Sequence, residues 1–231
     1  MGKRLQTLGI VLAVFGLAFL VGGGVAFAKV QDGYTSLKAF SAEQNVELAY
    51  NEAGELTDRG ETEGAEAIMS LLVDDWQYPV VESDLNPDDP MVNTASEYMY
   101  QMATISYHVL NGTQNITLEE DVEYNGEVFP AGDYEFNIDG RYWTDFDREH
   151  PLEGPAREMA WSGTAHGLIG ELGVGTVTHS ALQMGLGLSA LLGGLGGVFI
   201  LLGLGLVWAS RSTKVETPVA SKVESREPVT V

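Results

Sequence analysis

Four histidines, His108, His150, His166 and His179, are the side chains of this chain best suited to proton transfer or metal ligation. No two stand at the i, i+4 spacing of a helical metal pair, and no His-Glu-x-x-His run occurs. His150 and His166 are the candidate metal ligands: His150 ends the densest polar-aromatic stretch of the chain, residues 139–151, and His166 could fold back beside it. In that stretch Arg141, Tyr142, Trp143 and Phe146 combine the residue types that dominate interface anchors, so they could form a binding surface. Equally, Arg141, Arg148 and Arg157 could serve only to tie down neighbouring carboxylates. Asp84, Asn86 and Asp88 begin like a calcium loop, but Asp89 and Ala95 occupy the positions that require Gly and Glu. Turns that stop one element and cap the next explain them better. Ser162 and Ser180 lack a nucleophile elbow, and carboxylates are too numerous for one acid–base pair to stand out. The chain contains no cysteine, which removes thiol chemistry, disulfides and cysteine metal sites together. No residue set qualifies as catalytic, and no cofactor is called for.

Charge is strongly partitioned. Of the 33 acidic and 12 basic residues, 30 acidic but only 5 basic ones fall in residues 30–180. Such a segment repels phosphates and disfavours nucleic acid as a partner, while it suits cations, basic partners or plain solubility.

The elements that must carry this segment are two apolar runs. Residues 8–28 and 181–208 hold no charged side chain, and each is long enough to cross a bilayer as a helix. Lys3 and Arg4 precede the first, and Arg211 and Lys214 follow the second. The expected organisation is a cytoplasmic N-terminus (1–7), a first span (8–28), an acidic extracytoplasmic domain (29–180), a second span (181–208) and a disordered cytoplasmic tail (209–231). Residues 26–28, Ala-Phe-Ala, also fit a signal-peptide cleavage site, although 21 residues exceeds the usual apolar core and favours a retained anchor. Gly185, Ser189, Gly193 and Gly197 recur every four residues, as do Ala18, Gly22 and Ala26 in the first run. Small residues let helices approach closely in lipid, either the two spans of this chain or a partner's helix or a second copy. Neither span holds an ionisable residue, which argues against an ion pathway through them alone.

The intervening segment reads as α+β. Helical patterns cover 29–44, 62–76, 91–110 and 155–171; strands are expected at 46–50, 115–118, 122–124, 127–129 and 134–138. Asn125-Gly126 marks a hairpin. The fold class is therefore two transmembrane helices flanking a helix-rich extracytoplasmic domain with a small antiparallel sheet.

Residues 96–103 (SEYMYQMA), 140–147 (GRYWTDFD), 154–158 (GPARE) and 163–167 (GTAHG) make the chain resemble a family of actinobacterial two-span membrane proteins. That family carries the label aromatic ring-opening dioxygenase, small-subunit type. The resemblance extends over residues 1 to about 209 and implies the two-span topology. Its label implies non-haem iron held by two histidines and a carboxylate. No His pair here has that spacing, so no catalytic residue carries over. The expected function is a non-enzymatic accessory or interaction protein of the bacterial cell envelope. The alternative is a metal-dependent oxygenase or other envelope enzyme.

Overall fold

The computed structural model describes residues 2–212. Most of the expected disordered tail lies outside the described residues. The chain divides into two compact units, one from residues 2–29 and 185–212, the other Val30–Met184.

Two helices are long and apolar enough to cross a membrane: α1 (Gly2–Gln44) and α5 (Gly163–Ser212). Their most apolar windows have mean hydropathies of 2.5 and 2.3, and only 11% of each window is buried. Neither window is core, because a core segment would hide most of its residues.

In the first unit, α1 and α5 touch through a seven-residue repeat. Gly9, Gly16 and Gly23 are the buried positions of α1, against Gly203, Gly196 and Ser189 of α5. Residue numbers rise along one helix as they fall along the other, so the pair is antiparallel. The backbones nearly touch: a Cβ on Gly9 would sit 2.5 Å from the Gly203 carbonyl, and one on Gly16 would sit 2.7 Å from that of Gly196. A period of seven is that of left-handed helix pairs.

In the second unit, α1 continues without a break to Gln44, where Asn45 leaves the helix with positive φ. Residues 46–50, expected as a strand, make only isolated ladder contacts. The Val92 amide donates to the Val46 carbonyl (2.9 Å) and the Leu48 amide to that of Pro90 (2.8 Å). Helix α2 (Thr62–Ser70) widens into a π-turn, Leu71–Asp75. Helix α3 (Ala95–Leu110) starts four residues later than the apolar pattern predicts, because Thr94 caps it and Glu97 completes a capping box.

The single sheet expected is two separate ladders. Strand β1 (Thr113–Leu118) pairs antiparallel with β4 (Gly132–Asn137), and β2 (Val122–Tyr124) with β3 (Glu127–Phe129). Asn125 and Gly126 join β2 to β3 with φ of 51° and 83°, both in the left-handed region a two-residue hairpin needs. The fourth predicted helix breaks in two. Helix α4 (Glu153–Ala160) stops at Trp161, and α5 restarts at Gly163, where the Ser162 hydroxyl accepts the Ala165 amide at 3.2 Å. The fold is α+β and helix-dominated. Ile68, Leu72, Ala103, Ile138 and Ala156 form the fully buried centre, drawn from α2, its π-turn, α3, α4 and the turn after β4.

Candidate functional site

A cavity lies where the C-terminal part of α1 meets α3 and the first turns of α5. Leu37, Phe40, Ser41 and Gln44 fall three, four or seven residues apart on α1 and so share one face. Tyr98, Gln101 and Ile105 do the same on α3, and Leu168, Leu172 and Gly175 on α5. Val46 and Val92, joined by their backbone hydrogen bond, also line the cavity. The enclosed volume is about 750 Å³, within the roughly 300–1,000 Å³ of small-molecule sites.

Two polar groups of this lining are paired with each other. The Ser41 and Tyr98 hydroxyls share a 2.7 Å hydrogen bond, and both residues are buried. Burial pushes the Tyr98 hydroxyl above its ordinary pKa, so it stays neutral. The Tyr98 ring lies flat against α5 because residue 175 is glycine: a Cβ there would fall 2.6 Å from the ring. Gln44, Gln101 and Glu171 supply the remaining polarity. A second, smaller cavity of about 350 Å³ lies beside the π-turn, lined by Ser70, Asp75, Tyr107, Asn111 and Tyr142.

The polar-aromatic stretch forms a cross-braced cluster. The Arg141 guanidinium sits between the Phe136 and Phe146 rings, 4.7 Å from each centroid, and pairs with Glu153 at 3.1 Å. The Arg157 guanidinium lies 3.1 Å over the Trp143 ring, and its Nε donates to the Trp143 carbonyl at 3.0 Å. Trp161 Nε1 donates to the Arg141 carbonyl (3.1 Å), and Trp76 Nε1 donates to the Tyr142 hydroxyl (2.9 Å). Of the four residues offered as a binding surface, Phe146 is in the core at 7% exposure, and both Arg141 and Trp143 are engaged by intramolecular partners. Tyr142 alone is well exposed, and its ring stacks on Trp161. Arg157, weighed only as a local tether, emerges as the buried brace of the cluster.

The histidines are dispersed. His150 sits edge-on to Tyr124 and Phe129, and its Nδ1 accepts the Leu152 and Glu153 amides at 3.1 and 3.3 Å. His166 packs between Trp143 and Trp161, its Nδ1 2.9 Å from the Trp161 carbonyl. His108 Nε2 meets Asp58 at 2.9 Å. His179 packs on Tyr34, its Nδ1 buried with no hydrogen-bond partner among the described residues; burial pushes its pKa down. Among the described residues no three His, Asp or Glu side chains group so as to hold a metal ion. The two-His-one-carboxylate set implied by the dioxygenase label therefore has no fitting donors here.

Of the small residues singled out in the second run, Ser189 and Gly193 face Gly23 of α1, at 3.0 and 3.1 Å from where its Cβ would be. Gly193 and Gly197 themselves have open space at their Cβ positions, as do Gly187, Gly194 and Gly205. Gly185 is half-buried. The α1–α5 contact thus shares Ser189 and Gly193 with the four-residue stripe and otherwise runs through Gly196 and Gly203, which lie off it.

No protein-family model, no curated protein and no solved structure matches this chain.

Proposed function

We propose that this protein is a non-enzymatic accessory or interaction component of a bacterial cell envelope, held in the membrane by two helices. Both termini are cytoplasmic and residues 29–180 are extracytoplasmic. The observation that carries the reading is the pair of apolar helices whose most apolar windows are only 11% buried. Leu188, Leu191, Leu201, Val14 and Val21 all project from these helices unburied, and an apolar surface of that extent in water would drive aggregation. Lipid removes the problem. The basic residues outside each run, Lys3 and Arg4 before and Arg211 and Lys214 after, set the direction.

Two features support a role in assembly. Packing within the chain leaves glycines of α5 with open Cβ positions, where a further helix can approach closely. The segment outside carries 30 acidic against 5 basic side chains, a field that steers basic partners or cations to it.

Because the chain has no cysteine, single cysteines report topology cleanly. Glu120 and Gln6 are exposed positions outside and inside the proposed boundary. On intact cells a membrane-impermeant maleimide is expected to label Glu120→Cys and to leave Gln6→Cys unlabelled until the membrane is opened. The opposite pattern would invert the topology. Purification in mild detergent at native expression is expected to recover the protein with other membrane proteins, and recovery only as a free monomer would refute the assembly role.

A further inference from the structure

Resting on the membrane reading above, we infer that the cavity between α1, α3 and α5 binds the hydrocarbon tail of a bilayer lipid. The lining selects for hydrocarbon. Leu37, Val46, Val92, Ile105 and Leu172 are among its apolar residues, which predominate, and the Ser41 and Tyr98 hydroxyls bond each other. A space of this size with a mainly apolar lining accepts an apolar molecule.

Helix α5 carries both part of the cavity lining and, from Ala181, the start of the second apolar run. Val174 lines the cavity and is 67% exposed. Val177 and Met184 follow it at steps of three and seven, both well exposed and both on one face of the same helix. Ala181, between Val177 and Met184, is exposed on that face too. From Val174 to Met184 the helix therefore offers a tail an apolar face beside the cavity. The climb is short. Thr178, at the near end of the cavity, stands three residues before the apolar run, about 5 Å along the helix, which is within the headgroup layer.

Charge decides which amphiphile supplies the tail. Glu171 is part of the lining, and the surrounding unit is strongly acidic. A free fatty acid would bring its carboxylate into that field, whereas a phospholipid leaves its headgroup at the membrane and sends in only the chain.

The test uses the full chain in phosphatidylcholine vesicles containing a phosphatidylcholine with a diazirine at the tip of one acyl chain. After irradiation, digestion and mass spectrometry, label is expected in the peptide spanning Ala95–Leu110 as well as in residues 8–28 and 181–208. Val174→Asp, which puts a charge across the track, and Ile105→Trp, which fills the space, are each expected to cut the α3 label roughly tenfold. Label in the spans should not change. Wild-type label confined to the spans would overturn the lipid site and leave the membrane reading standing. Absence of label from the spans would defeat the membrane reading itself, and the site with it. A diazirine fatty acid that labels α3 as strongly as the phospholipid would also overturn the inference, by assigning the cavity to a free amphiphile.

Discussion

Gly203→Leu is expected to unseat α1 from α5 and to cost about 3 kcal/mol of helix–helix stability, the upper end for overpacking a well-packed contact. A Cβ at residue 203 would meet the Gly9 carbonyl oxygen at 2.5 Å and the Ala13 amide nitrogen at 2.8 Å. These are backbone atoms in the middle of a helix, so no rotamer change can clear them. The whole of α1 has to move. Gly16→Leu should do the same, since its Cβ would fall 2.7 Å from the Gly196 carbonyl and 2.8 Å from the Ile200 amide nitrogen. Gly197→Ala is the matched control: it is also a glycine in the same helix, but nothing lies within 4 Å of its Cβ. The thermal midpoint of the detergent-solubilised protein, followed by protease resistance of the two apolar segments, reads the difference. The leucine variants should melt well below wild type and Gly197→Ala close to it. Equal midpoints for Gly203→Leu and Gly197→Ala would show that the glycine contact does not hold the helices together.

That contrast also shows what was legible in the sequence. Length and hydropathy located both apolar helices, because these are sums over many residues and tolerate local error. The contact between the helices depends on single atoms. Spacing of four drew attention to Gly185, Ser189, Gly193 and Gly197, whereas the close approach follows Gly9, Gly16 and Gly23 at spacing of seven. The longer repeat was visible, and it continues into Val30 and Leu37, buried on the same helix. A period of seven keeps one face on a partner over many turns, where a period of four drifts around the helix. In the unit Val30–Met184, the hairpin at Asn125-Gly126 followed from turn chemistry alone. The start of α3 did not follow from apolar periodicity, because the cap at Thr94 and Glu97 overrides it. The polar-aromatic stretch stood out by composition, but its use as internal bracing depends on Arg157 of α4 reaching Trp143 and on Arg141 turning back over Phe136. The cavity was invisible in the sequence. It is a space among residues from three separate helices, and only Gly175 against Tyr98 leaves a trace, as a glycine where an apolar side chain would otherwise serve.

Glu97→Ala is expected to destabilise the unit Val30–Met184 by about 2–4 kcal/mol, because it strips the partner from two amides near the start of α3. One Glu97 oxygen accepts the Asn93 amide at 2.9 Å and the Thr94 amide at 2.8 Å, and the residue is 1% exposed. Water cannot replace it there. Glu97→Gln behaves differently, since an amide oxygen still accepts both bonds and carries no charge to bury. Burial pushes the Glu97 carboxyl above its ordinary value of 4.5, more strongly than the two amide hydrogen bonds pull it down. The native state therefore holds a proton that the unfolded chain has already lost in the interval between the two pKa values. Stability from this group is full below about pH 4.5 and falls as pH rises through the folded-state value. At pH 7 the glutamine variant should equal or exceed wild type, and its advantage should shrink as the pH is lowered toward 4.5. Chemical denaturation of both variants and wild type across that range separates the outcomes. If glutamine costs as much as alanine, or if its difference from wild type does not change with pH, then Glu97 caps α3 as an ordinary solvated carboxylate and the burial argument fails.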